Sequence, residues 1–206
     1  MKASHTATQR RVSPPSSSGI ISCPACGGKL KCDSKWCPAC NFTGSDTLAM
    51  FPDSPPPLLP ILDAANLFNE ADLHKIEAAR KSISRRFPQF QWRICSVSLA
   101  HETSLPLFGF WLLNACPLND GETARQRAST ILLLINARSG QAAVIPGYAA
   151  EPYLSDYDWM AILKTMVEPW RTKNRADLII RFFKCSRHHL ELAWNRCGTG
   201  ISNEVF

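Results

Sequence analysis

Long apolar runs are missing from this 206-residue chain. The longest, Ile-Leu-Leu-Leu-Ile at 131–135 and Phe-Trp-Leu-Leu at 110–113, fall far short of the roughly 20 residues a membrane-crossing helix needs. The opening stretch to Gly19 holds no apolar segment of the kind a secretory leader carries, so none is expected. Blocks of one charge are also missing. The net charge of +6 is split evenly, +3 over residues 1–58 and +3 over the remainder, so no nucleic-acid arm is expected. No Cys-x5-Arg phosphate loop occurs, and no internal repeat beyond one pair of cysteine motifs. Four of the nine cysteines stand in metal-binding spacing, which suits a reducing compartment better than a disulfide framework. The expectation is a soluble, cytoplasmic protein.

What is present falls into segments. Residues 1–20 are polar and Ser/Pro-rich, the composition of a disordered segment. Residues 21–44 hold the cysteine module, and 45–58 read as a Pro-rich, semi-rigid spacer. From residue 59 the pattern is that of a folded α/β domain. Asn69 with Asp72 marks a helix start, and Leu73, Ile76, Ala79, Ile83 and Phe87 recur at helical spacing until Pro88. A strand over 92–99 has apolar residues on both faces, and residues 105–116 read as a short buried helix. Thr130–Asn136 is the most strand-like run, and its turn at Gly140 suggests an antiparallel hairpin. Ser155 with Asp158 opens another helix, which Pro169 bends or ends. Residues 173–206 read as a helical extension. This order predicts an α/β domain with helices packed on a mixed sheet.

The module Cys-Pro-Ala-Cys-Gly … Cys-Pro-Ala-Cys-Asn has its two pairs ten residues apart. A Cys-x-x-Cys turn delivers two thiolates to one ion, and Gly27 and Asn41 suit the backbone angle that such a turn needs. This resembles a zinc ribbon with Cys23, Cys26, Cys37 and Cys40 as ligands. Four cysteines close the coordination shell, which makes the zinc structural rather than catalytic. Bound thiols are deprotonated, so residues 1–58 would then carry about +1. Cys32 is a spare that packs beside Leu30. Lys29, Lys31 and Lys35 form a basic edge, but few aromatics accompany it.

Residues 59–172 resemble the TPM domain family of thylakoid-lumen proteins, photosystem II repair factors, a receptor modulator and many bacterial proteins. The resemblance is carried by ILDAANLFNEADLHKIE, FPQFQWRICSVSL and LLLINARSGQAAVIPGYAAEPYLSD. It implies a three-layer α/β/α sandwich on a small mixed sheet. It also implies phosphatase-like chemistry, divalent-cation binding (Ca²⁺ or Mg²⁺) or an accessory role in membrane complexes. The matching acidic positions are Asp63, Glu151 and Asp156, expected together at one rim of the sheet. Two departures weigh against metal and phosphatase chemistry. The chain shows neither the leader nor the membrane segment common in the family, and its Asn-Asp-Gly turn (119–121) stands nine residues ahead of Ile131.

The simpler readings of other residues are structural. Asp156 and Asp158 cap a helix, and Cys95 and Cys116 are small buried residues. Cys185, His188, His189 and Cys197 offer potential second-site ligands, with ordinary packing as the plainer account. The expected function is a non-catalytic accessory protein that docks a protein partner through its ribbon. The alternatives are a metal-assisted phosphate ester hydrolase and a ribbon-mediated nucleic-acid binder.

Overall fold

The computed structural model describes residues 20–31, 34–51, 56–100, 102–118 and 124–199. Two short strands, β1 (Ile20–Ser22) and β2 (Lys29–Lys31), pair antiparallel around the first cysteine motif, and a helical turn, α1 (Asp46–Met50), follows the second. The main sheet then begins with β3 (Ile61–Asp63), and α2 (Glu70–Arg86) leads to β4 (Gln91–Val97). Next come α3 (Leu105–Ala115), α4 (Ala124–Ala128), β5 (Thr130–Asn136) and β6 (Ala142–Pro146). The chain closes with α5 (Asp156–Lys164), α6 (Val167–Arg171) and α7 (Arg175–Thr199).

The main sheet has the order β3-β4-β5-β6, parallel through its first three strands and antiparallel at the β5–β6 hairpin. Strand side chains alternate faces, so each central strand feeds two cores. Trp92, Ile94, Ile131, Leu133 and Ile135 point to one face, where Ile76, Ile83, Trp159, Ile162, Phe182 and Phe183 from α2, α5 and α7 meet them. Cys95, Val97, Leu132 and Leu134 point to the other, against Leu105, Trp111, Leu112 and Leu113 of α3. The expected three layers result. The steps β3 to β4 and β4 to β5 run the same way across the sheet, yet α2 covers one face and α3 the other. The two crossovers are therefore of opposite hand, and one departs from the right-handed rule that about 98% of such units obey.

Local signals set the helix ends. Asn69 and Asp72 form a reciprocal capping box at α2, and Ser155 and Asp158 form another at α5. Gly140 turns the hairpin at φ +72°, as its place in the sequence requires. Three parts of the layout differ from the sequence reading. Strand β3 is only three residues long and has no periodicity to read. The 45–58 segment is not a spacer throughout. Thr47 of α1 is buried, Phe51 packs on Phe108 and Trp111, and fully buried Leu58 donates its N–H to the Pro117 carbonyl at 2.9 Å. Nor is α7 an extension, since Leu178, Ile179, Phe182, Phe183 and Leu190 belong to the main core. Of the segment 1–20 expected to be disordered, Ile20 begins β1 and residues 1–19 lie outside the described residues.

Candidate metal centre

The two cysteine motifs fold as copies of one turn. In the first, the Cys23 N–H donates to the Gly28 carbonyl at 2.8 Å and the Gly27 N–H to the Cys23 carbonyl at 2.9 Å. In the second, Cys37 donates to Phe42 at 2.9 Å and Asn41 to Cys37 at 2.8 Å, at the same offsets. Each turn passes through the left-handed region at its fifth residue, Gly27 at φ 72° and Asn41 at φ 59°. Glycine carries no steric cost there and asparagine a small one, which is why these two residue types follow the second cysteine.

The turns bring four sulfurs together. Cys23 Sγ lies 3.8 Å from Cys40 Sγ, and Cys26 Sγ lies 3.7 Å from Cys37 Sγ. All four fall within 4.8 Å of one another. A tetrahedral zinc ion with Zn–S near 2.3 Å places its sulfurs about 3.8 Å apart, so donor set and spacing both fit Zn²⁺. Backbone N–H groups are already aimed at this sulfur cluster, as with Gly28 donating to Cys26 Sγ at 3.4 Å. Such N–H···S bonds hold metal-bound thiolates in place.

The protonation pattern points the same way. Backbone N–H donation from Ala39 brings the Cys37 thiol down to about 7, against the opposing effect of burial. Cys40 goes the other way. The Phe42 amide favours its thiolate, but burial and the three neighbouring sulfurs push it up to about 12. A divalent cation bound among the sulfurs would favour the thiolate form of both Cys37 and Cys40. Cys32 lies outside the described residues.

The carboxylates expected at one rim are not gathered. Asp63 ends β3, level with Ser96 and hence with Ile135 at the C-terminal end of the parallel strands. Because β6 runs antiparallel and ends opposite Ile131, it carries Glu151 and Asp156 to the other end of the sheet. Four residue steps along β5 separate the two levels, about 13 Å. Asp63 is also occupied. Its oxygens accept from the N–H groups of Leu67 (2.9 Å) and Phe68 (3.0 Å) and from the Ser96 hydroxyl. Glu151 and Asp156 do lie near one another. Burial first, and Asp156 second, raise the Glu151 carboxyl to about 7, while Lys29 acts in the opposite sense. Among the described residues, the four cysteines are the single group of three or more His, Cys, Asp or Glu close enough to hold an ion.

Several of the other candidates have structural settings. Asp158 caps α5 and also lies 3.0 Å from His189 Nδ1, joining α5 to α7, while His188 is exposed. Burial raises Cys95 to about 12 and Cys116 to about 11, which leaves neither as a nucleophile. Lys29 was read as part of a basic edge, but its ammonium lies 3.7 Å from the Asp156 carboxylate. A second contact missed by the sequence reading joins Phe42 to Phe110, edge to face at 6.2 Å. No local pattern links a residue of the module to one near position 110.

No family model matches the chain, and no curated protein matches it either. The fold is similar to two solved domains of low sequence identity. One is the N-terminal domain of the cg2496 protein from Corynebacterium glutamicum, at 12% identity and TM-score 0.46, covering 61% of this chain and 76% of that one. The other is the N-terminal domain of a protein from P. gingivalis, at 14% identity and TM-score 0.49, covering 70% of this chain and 87% of that one. Among the described residues no helix is long and apolar enough to cross a membrane.

Proposed function

We propose that this protein is a non-catalytic accessory factor in which a zinc ribbon, docked on a TPM-like α/β domain, presents a surface to a protein partner. The observation that carries this reading is the closed donor set. Four sulfurs at tetrahedral spacing leave no position for water or substrate, so the ion stabilises the module instead of performing chemistry. The separation of Asp63 from Glu151 and Asp156 supports the same side of the argument. A phosphate-polarising cation needs converging oxygens, and these three carboxylates stand at opposite ends of the sheet. The basic edge is reduced by the pairing of Lys29 with Asp156, which weighs against the nucleic-acid reading.

Metal analysis of the purified full chain is expected to give one equivalent of zinc, and Cys23→Ser to give less than half. The wild-type protein is expected to release no phosphate from a simple phosphate ester with Mg²⁺ or Ca²⁺. Cation-dependent turnover that disappears in Asp63→Asn would reject the accessory reading. Salt-sensitive retention on nucleic acid that is lost on removing the charges of Lys29, Lys31 and Lys35 would replace it with the binder.

A further inference from the structure

Helix α3, Leu-Pro-Leu-Phe-Gly-Phe-Trp-Leu-Leu-Asn-Ala, has no charged side chain and one polar one. A helix that is apolar all round needs cover on every side. The sheet supplies one side, where Gly109 sits so close to Ile145 that an added Cβ would lie 2.4 Å from Cδ1. The other side is covered by the residues between the second cysteine motif and the end of α1. Phe51 packs on Phe108 with ring centroids 5.2 Å apart and on Trp111 at 5.4 Å. Phe42 packs edge to face on Phe110.

Phe42 is set by the metal-binding turn itself. Its carbonyl accepts the Cys37 N–H, and it follows Cys40 by two residues. The Thr43 N–H donates to the Asp46 carboxylate at 2.7 Å, and the Thr47 hydroxyl to the Gly44 carbonyl at 2.7 Å, so the turn continues directly into α1. Among the described residues, the regular structure of the module amounts to two three-residue strands. A module of that size lacks the core to keep its shape without a metal.

We propose that residues 42–51 are a zinc-held cover over the outer face of α3, so that loss of the ion uncovers that helix while the sheet and its other helices stay folded. The proposal rests on the zinc reading above and adds a conditional surface to it. With zinc bound, Phe42 and Phe51 shield Phe108, Phe110 and Trp111 from solvent. Without zinc the Cys37–Phe42 turn opens, Phe42 leaves Phe110, and the segment up to Phe51 loses its anchor. The released face is aromatic and uncharged, and it becomes available only when the metal is gone.

The test uses the full chain, first as isolated with its zinc content measured, then after treatment with a chelator under thiol-reducing conditions. Hydrogen exchange is followed by mass spectrometry in residues 42–51, α3 and β5, and binding of a hydrophobic dye is followed by fluorescence. Chelation is expected to accelerate exchange over 42–51 and the exposed flank of α3 and to raise dye fluorescence several-fold, with β5 unchanged and all effects reversed by added zinc. Phe42→Ala is expected to retain one zinc and to show part of the dye signal without chelation. Unchanged exchange in α3 after verified metal loss would overturn the proposal. So would loss of protection in β5 along with α3, because the ion would then support the whole molecule. A chain isolated without zinc fails at the metal analysis and overturns the zinc reading itself.

Discussion

Two carboxylates at opposite ends of the sheet show how environment, more than residue type, decides what an acidic side chain does. Asp63 accepts two backbone N–H groups and the Ser96 hydroxyl. Asp63→Asn replaces one accepting oxygen with a donor, so at least one of those partners loses its bond. A loss of about 1–3 kcal/mol is expected in a urea titration, with no change in response to added Ca²⁺. Glu151 is held instead near neutrality by burial and by Asp156. Its folded pKa of about 7 lies above the unfolded value of about 4.3, so the protonated form favours folding. That stability is complete below about pH 4 and is lost as the pH rises through about 7. Glu151→Gln stays neutral throughout. Its thermal midpoint is expected to match wild type near pH 4 and to exceed it by about 2–4 °C near pH 8.

At the scale of elements, the parts legible in the sequence were those written over a few consecutive residues. The capping boxes at Asn69 and Ser155, the run Thr130–Asn136, the hairpin at Gly140 and the four metal-spaced cysteines all fall in this class. Strand β3 escaped because three residues carry no period. The carboxylate trio was misplaced because its geometry depends on β5 running parallel to β3 and β4, a long-range relation that no local motif encodes. The hairpin also has a tertiary constraint that the sequence hides. A Cβ on Gly140 would stand 2.8 Å from Trp170 Nε1 of α6, and the residue already sits at φ +72°. Gly140→Ala is expected to cost about 1–2 kcal/mol from the backbone term alone, with the ring contact adding to it. Chemical denaturation of the variant checks the sum.

Over the whole molecule, the chain is more continuous than its composition suggests. The proline-rich stretch ends in Leu58, fully buried, whose carbonyl accepts from the buried Arg93 guanidinium of β4. Helix α7 closes the core that α2 and α5 begin, with Phe182 and Phe183 edge-on to Trp92 at 6.1 Å and 5.8 Å. Composition marks neither fact, since a spacer and a packed crossing can share the same prolines. The consequence is testable by truncation. A chain ending at Thr172 exposes the apolar face of the sheet and is expected to show no cooperative unfolding transition. Phe182→Ala in the intact chain is expected to cost about 3–5 kcal/mol, as large-to-small changes at fully buried aromatics do. Retention of a sharp transition by the truncated chain would return α7 to the status of an appendage.

The outermost strand has one more property. The bonds from Asn136 to Gln141 and from Gly147 to Thr130 fix which residues of β6 face β5, and the alternation leaves Ala142, Val144 and Pro146 facing away. Proline has no N–H, so this rim offers incoming backbone just two donors. A strand so short and so poorly furnished cannot template a ladder of neighbouring molecules, and the protein protects itself against fibre growth there without spending a single charged residue on the task.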